Sequence, residues 1–173
     1  MTAVPSLTTA RLTLRCRTAD DAEALFATMQ DGAAMRWWSR APFETLAALR
    51  TYFADEHPDW RTWAVTRSGD ARAVGFVAAG VRRTGVVEVG YLFARDTWGC
   101  GIATEAVSAV LTQLFAEDTR RVFADTDPDN VHSIRLLERL GFTLEGRLRA
   151  EWETHIGVRD TLLFGLLKDE WRV

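Results

Sequence analysis

Cysteine and histidine are scarce in this chain, with two and three residues among 173. Cys16 and Cys100 stand far apart, and His57, His132 and His155 are scattered. That distribution gives neither a disulfide framework nor the spacing of a zinc site, so no metal is expected. No apolar run approaches the roughly 20 residues needed to span a bilayer. Met1-Thr2-Ala3-Val4-Pro5-Ser6 has no basic region leading into an apolar stretch. A secretory leader is therefore not expected, and the cytoplasm is the expected location. Basic stripes are also missing. Arg82-Arg83 and Arg120-Arg121 are too short to form an electrostatic footprint, which argues against a nucleic-acid partner, as does the net charge of −3. Repeats, low-complexity tracts and linkers are absent, so one domain over 1–173 is expected.

What is present is an ordinary balance of 47% hydrophobic and 26% charged residues, patterned in alternating elements. Arg11–Arg17 alternates polar and apolar positions as a half-buried strand does. Thr18 followed by Asp21 reads as a helix start. A second helix is expected to open at Ala41-Pro42-Phe43 and run to about residue 55. Strands are expected at Trp60–Arg67, Ala73–Val81 and Val86–Ala94. The spacing predicts a long helix over Ile102–Glu117, a strand over Val122–Thr126, and a short helix over Ser133–Leu140 ended by Gly141. Two strands, about 144–154 and 159–167, close the chain as a hairpin around Ile156-Gly157. The order β-α-α-β-β-β-α-β-α-β-β indicates an α+β (mixed-sheet α/β) sandwich. Within it, 86–126 forms a βαβ unit with parallel strands.

The junction Trp98-Gly99-Cys100-Gly101-Ile102-Ala103-Thr104 carries the chemistry. The first N–H groups of a helix lack intrahelical partners and sit at the positive end of the helix dipole. Gly99 and Gly101 let an anion approach that backbone closely, as a diphosphate would. A tight turn without a ligand would look the same. A Walker loop is excluded by the lack of Gly-Lys-Ser/Thr. A dinucleotide fold would need a third glycine where Thr104 stands, and an earlier acid than Asp125.

Trp98–Ala103 resembles the Gln/Arg-x-x-Gly-x-Gly/Ala motif of the GNAT N-acetyltransferases, apart from Trp98 at its first position. Trp-Gly-x-Gly-x-Ala-Thr-Glu-Ala is the form of their ribosomal-protein-alanine (RimJ/RimL-like) branch. Asn130–Phe142, Arg159–Leu167 and Thr9–Arg15 resemble further blocks of that branch, so the likeness spans essentially the whole chain.

The resemblance implies the acyl-CoA N-acyltransferase fold with splayed central parallel strands. Acetyl-CoA is the implied cosubstrate, an amine the implied acceptor (a peptide N-terminus or a small molecule), and a homodimer the implied assembly. It implies that Trp98, Gly99, Cys100, Gly101, Ile102, Ala103 and Thr104 hold the diphosphate, with Leu92, Phe93, Ala94 and Asn130 on the pantetheine arm. Glu88 is placed as general base, or else is a carboxylate bonded to a neighbouring strand or an arginine. Ser133 is implied to line the cofactor site and to be the proton donor to the thiolate, unless it and Asn130 merely cap a helix. Many relatives carry a tyrosine acid seven residues after this asparagine, where this chain has Leu137. Trp37, Trp38 and Trp152, the last flanked by Glu151 and Glu153, are implied to shape the acceptor site, or else pack helices on the sheet. Cys100 has no partner to activate it as a nucleophile. A non-catalytic acyl-CoA-binding module remains the competing expectation.

Overall fold

The computed structural model describes residues 4–55 and 57–172. Met1, Thr2 and Ala3, part of the stretch in which no leader is expected, lie outside them.

Thirteen elements alternate as the sequence patterning predicts, with two short additions. The strands are β1 (Leu7–Thr8), β2 (Leu12–Cys16), β3 (Trp60–Arg67), β4 (Ala73–Arg83), β5 (Val86–Phe93), β6 (Arg121–Thr126), β7 (Thr143–Thr154) and β8 (Gly157–Leu167). The helices are α1 (Asp21–Met29), α2 (Leu46–Ala54), α3 (Ile102–Ala116) and α4 (Val131–Arg139), with a 3-10 turn at Arg95–Thr97. β1 and the 3-10 turn were not expected, since each is too short to show a period.

Local chemistry sets the helix starts. The Asp21 carboxylate reaches back to the Thr18 N–H at 2.8 Å, the returning half of a capping box. The expected start of the second helix at residues 41–43 is corrected to Leu46. The Thr45 hydroxyl accepts the Ala48 N–H at 3.1 Å and so caps that helix. Phe43 precedes it in a loop, bonded through its N–H to the Met29 carbonyl and packed at a tilt against Tyr52, with ring centres 5.3 Å apart. α4 begins two residues earlier than expected because Asn130 is its cap, accepting the Ser133 N–H at 3.3 Å.

One mixed sheet runs in the order β1-β2-β3-β4-β5-β6-β8-β7. All neighbours are antiparallel except β5 and β6, the expected βαβ pair. Strand alternation sends side chains to two faces. On one, α3 and α4 bury Ile102, Val107, Leu111, Leu114 and Leu137 against Leu12, Trp63, Val77, Val87, Val89 and Val122. On the other, α1 and α2 bury Leu25, Met29, Leu49 and Phe53 against Ala64, Phe76 and Leu92. The sheet thus lies between two helical layers, and the parallel pair lies near its middle.

Candidate functional site

β5 and β6 part soon after they meet. Their register is Val86↔Arg121, Val87↔Val122 and Glu88↔Phe123, and goes no further. β5 stays paired to β4 as far as Gly75↔Phe93. β6 stays paired to β8 as far as Thr126↔Leu162. Between them the backbone edge of β5 from Val89 to Phe93 has no strand partner. A cleft of about 900 Å³ opens there, lined by Gly90–Phe93 on one side and Ala124–Asp127 on the other. A Cβ on Gly90 would meet only open space.

The glycine turn stands at the end of β5. Gly99 and Gly101 hold φ of +74° and +76°, the left-handed region that favours glycine. Gly101 caps α3 without any side-chain bond. The N–H groups of Ile102, Ala103 and Thr104 therefore find no acceptor among the described residues. Neighbours hold the turn rigid. Trp98 Nε1 donates to the Phe93 carbonyl at 2.9 Å, and Arg11 Nη1 to the Cys100 carbonyl at 3.0 Å. Glu105, in the first turn of α3, accepts from Thr9 Oγ1 at 2.5 Å and from Arg11 Nε at 2.7 Å. Burial alone would push Glu105 up, but these bonds hold it below the usual carboxylate range.

The two faces of the sheet divide the remaining groups. Glu88 shares the α1/α2 face with Gly90 and Leu92, as the alternation predicts. Its Oε2 lies 2.5 Å from Arg82 Nε on the adjacent strand, and its side chain is 18% exposed. The ion pair expected as one alternative for Glu88 is present, and Glu88 also lines the cleft. On the opposite face the Tyr91 hydroxyl lies 2.8 Å from Ser133 Oγ. Burial pushes the Tyr91 phenol up to about 12, although its bond to Ser133 works against that. The phenol keeps its proton at neutral pH.

Most expected site residues line the cleft: Glu88, Leu92, Phe93, Trp98, Gly99, Gly101, Ala103, Thr104, Asn130, Ser133, Trp37, Trp38 and Trp152. Three do not. Ala94 stands outside its lining, Ile102 is buried in the core, and the Cys100 thiol points to the Trp98 carbonyl. Any contact from these three is through backbone. Leu137 is fully buried in the core, away from the cleft. Glu151 and Glu153 lie exposed outside it, contrary to the carboxylate wall expected around Trp152. Asp125 takes that place. Its Oδ2 accepts Trp152 Nε1 at 2.7 Å and Thr161 Oγ1 at 3.2 Å, and its Oδ1 accepts nothing among the described residues. Arg159 clamps Asp127 and Asp129 at 2.7 and 2.6 Å, with its guanidinium carbon 5.7 Å from the Trp37 ring centre. From the sequence Asp125 fits only a dinucleotide site, where it falls too late, and Tyr91 and Arg159 carry no expected role in the site. Only their alternation on strands bordering the gap could have pointed to them.

This geometry has known counterparts. Residues 11–143 match the family model described as the acetyltransferase (GNAT) domain. The chain belongs to the GNAT acetyltransferases. The uncharacterized N-acetyltransferase YoaA of Bacillus subtilis is 30% identical over 172 residues, covering 95% of this chain and 97% of its own. The structure described as a probable acetyltransferase (GNAT family) from Chromobacterium violaceum superposes with a TM-score of 0.90 at 28% identity, over 98% of this chain and 90% of that one. The ribosomal-protein-S5-alanine acetyltransferase of Vibrio fischeri shares the fold, with a TM-score of 0.79 at 19% identity over 98% of this chain and all of its own. In this GNAT acetyltransferase no helix is long and apolar enough to cross a membrane, and no group of three or more His, Cys, Asp or Glu is placed to hold a metal, both among the described residues.

Proposed function

We propose that this enzyme, acting as one domain, moves an acetyl group from acetyl-CoA to a primary amine by direct attack. The observation that carries the reading is the junction of two unpaired backbone edges in one cleft. The free N–H groups of Ile102–Thr104 suit a diphosphate, and the unpartnered β5 edge suits the amide-bearing pantetheine arm. Acetyl-CoA, when bound, supplies an activated thioester. Everything else belongs to the chain.

An amine attacks only when neutral, yet an alkyl amine has a pKa near ~10. Glu88 accepts the amine proton, through water, from the α1/α2 face. Asp125, two residues beyond Phe123 on β6, orients the incoming ammonium with its free Oδ1. On the other face Ser133 Oγ gives a proton to the departing sulfur and is resupplied from Tyr91 Oη, which takes a proton back from solvent in the cleft as Glu88 gives the amine proton up to solvent. Backbone N–H groups of the parted β5 stabilise the developing oxyanion. Asn130 both caps α4 and faces the arm. Trp37, Trp38 and Trp152 wall the acceptor side.

One observation favours a second reading, a CoA-binding module without turnover: Arg82 already engages Glu88. Thiol release from acetyl-CoA across a panel of peptide N-termini, amino acids, polyamines and aminoglycosides separates the two. Turnover with at least one amine is expected. Tight CoA binding with no turnover by any amine would leave the module.

A further inference from the structure

Arg17 follows β2 and enters the cleft on the α1/α2 face, a position the acetyl-transfer scheme does not use. Its backbone N–H is tied to the Thr62 carbonyl at 3.0 Å. Its guanidinium carbon lies 4.1 Å from the ring centre of Phe53, 5.5 Å from Phe76 and 5.7 Å from Tyr52. Trp38 meets Phe76 edge-on at 5.7 Å and extends this aromatic cup. No group among the described residues accepts a hydrogen bond from the guanidinium, and its Nε is buried without a partner. Nearby Asp21 is taken by Arg15, at 2.6 and 2.9 Å. Arg82, Arg95 and Arg159 also line the cleft and are ion-paired, whereas Arg135 and Arg139, which line it too, stand on α4 across the sheet from this cup.

A half-buried cation with no hydrogen-bonded counter-charge among the described residues is a poor stabiliser. Burial in fact pulls Arg17 below the usual arginine value, against the pull of Tyr52, Asp21 and Cys16. Aromatic faces compensate only in part. A planar guanidinium with unused donors matches a carboxylate in a bidentate fork. Phe76 pairs with Leu92 across β4 and β5, so the cup shares a sheet face with the mouth of the gap.

We propose that the acceptor is an amine that also carries a carboxylate, which Arg17 receives in the aromatic cup while the amine faces the gap between β5 and β6. The proposal rests on the acetyl-transfer reading, and its test keeps the two apart. Intrinsic tryptophan fluorescence is titrated with 3-phenylpropionate, its amide and phenyl phosphate, with CoA present. The acid should bind at least about tenfold tighter than the amide. Arg17→Met should erase that preference without lowering the melting temperature, and Arg17→Lys should keep part of it. Equal binding of acid and amide, or a preference surviving in Arg17→Met, overturns the proposal. Tighter binding of phenyl phosphate moves the site to phosphate and overturns the carboxylate assignment. In turnover, free amino acids should outrun their C-terminal amides and spermidine. Turnover without that order overturns the Arg17 assignment and keeps acetyl transfer. The acid preference in binding, with no amine acetylated, keeps Arg17 and sinks acetyl transfer.

Discussion

Glu88 stands where two pulls meet. Arg82 fixes one oxygen of its carboxylate, yet the group still borders the open cleft. If Glu88 takes the amine proton, Glu88→Gln should cut kcat/KM by about a hundredfold at neutral pH and flatten its rise with pH. An unaltered pH–rate profile would make the ion pair purely structural. The opposite face makes a separate claim. Ser133→Ala and Tyr91→Phe should each slow kcat by roughly tenfold or more while CoA affinity changes little, because the pair acts on a proton. A matched fall in affinity and rate would reduce Ser133 to a binding contact. Glu88 could be picked out in the sequence, since a carboxylate on an apolar strand needs a reason. Tyr91 could not, because its partner Ser133 lies on a helix 42 residues away and only the fold brings the hydroxyls together.

Elements with a strong period were the most legible. α3 matches its expected range to within a residue, since its apolar stripe is unbroken from Ile102 to Leu114. α2 was misread because Pro42 is a common opening residue, while the actual cap, Thr45, sits inside the stretch. Thr45→Ala should cost about 1 kcal/mol and lower the melting temperature. An unchanged midpoint would mean that packing of Leu49 and Phe53 alone holds the helix start. The glycine turn was legible as a tight turn opening a helix, and its proposed role as an anion cradle is tested by binding. Gly101 combines a φ of +76° with Arg11 Nη2 only 3.4 Å from where a Cβ would sit. Gly101→Val should therefore strain the turn, crowd the cradle and weaken CoA binding by tenfold or more. Wild-type CoA affinity in that variant would remove the diphosphate from Ile102–Thr104.

Across the whole molecule, the layered order of strands and helices was readable from periodicity, but the gap was not. It depends on where the β5–β6 register stops, and nothing in either strand's composition marks that point. The ion pairs that tie distant elements together were equally invisible. Glu117 follows α3 and meets Arg61 of β3 through two bonds of 2.9 and 2.8 Å, outside the cleft lining. The Arg61 bonds hold the Glu117 carboxyl below its usual value, outweighing burial, with Gln113 adding a further bond. A carboxylate whose folded pKa is depressed adds stability above its unfolded pKa, near ~4.3, and loses it as pH falls through the lower folded value. Glu117→Gln should thus melt below the wild type at pH 7, by about 1 kcal/mol for so partly exposed a pair. The gap between the two proteins should close as pH falls below about 4, because the wild-type group is then protonated as well. Melting curves of both proteins from pH 7 to pH 3 check this. A difference that persists undiminished at pH 3 would assign the loss to packing around Arg61 and Trp63 and not to charge.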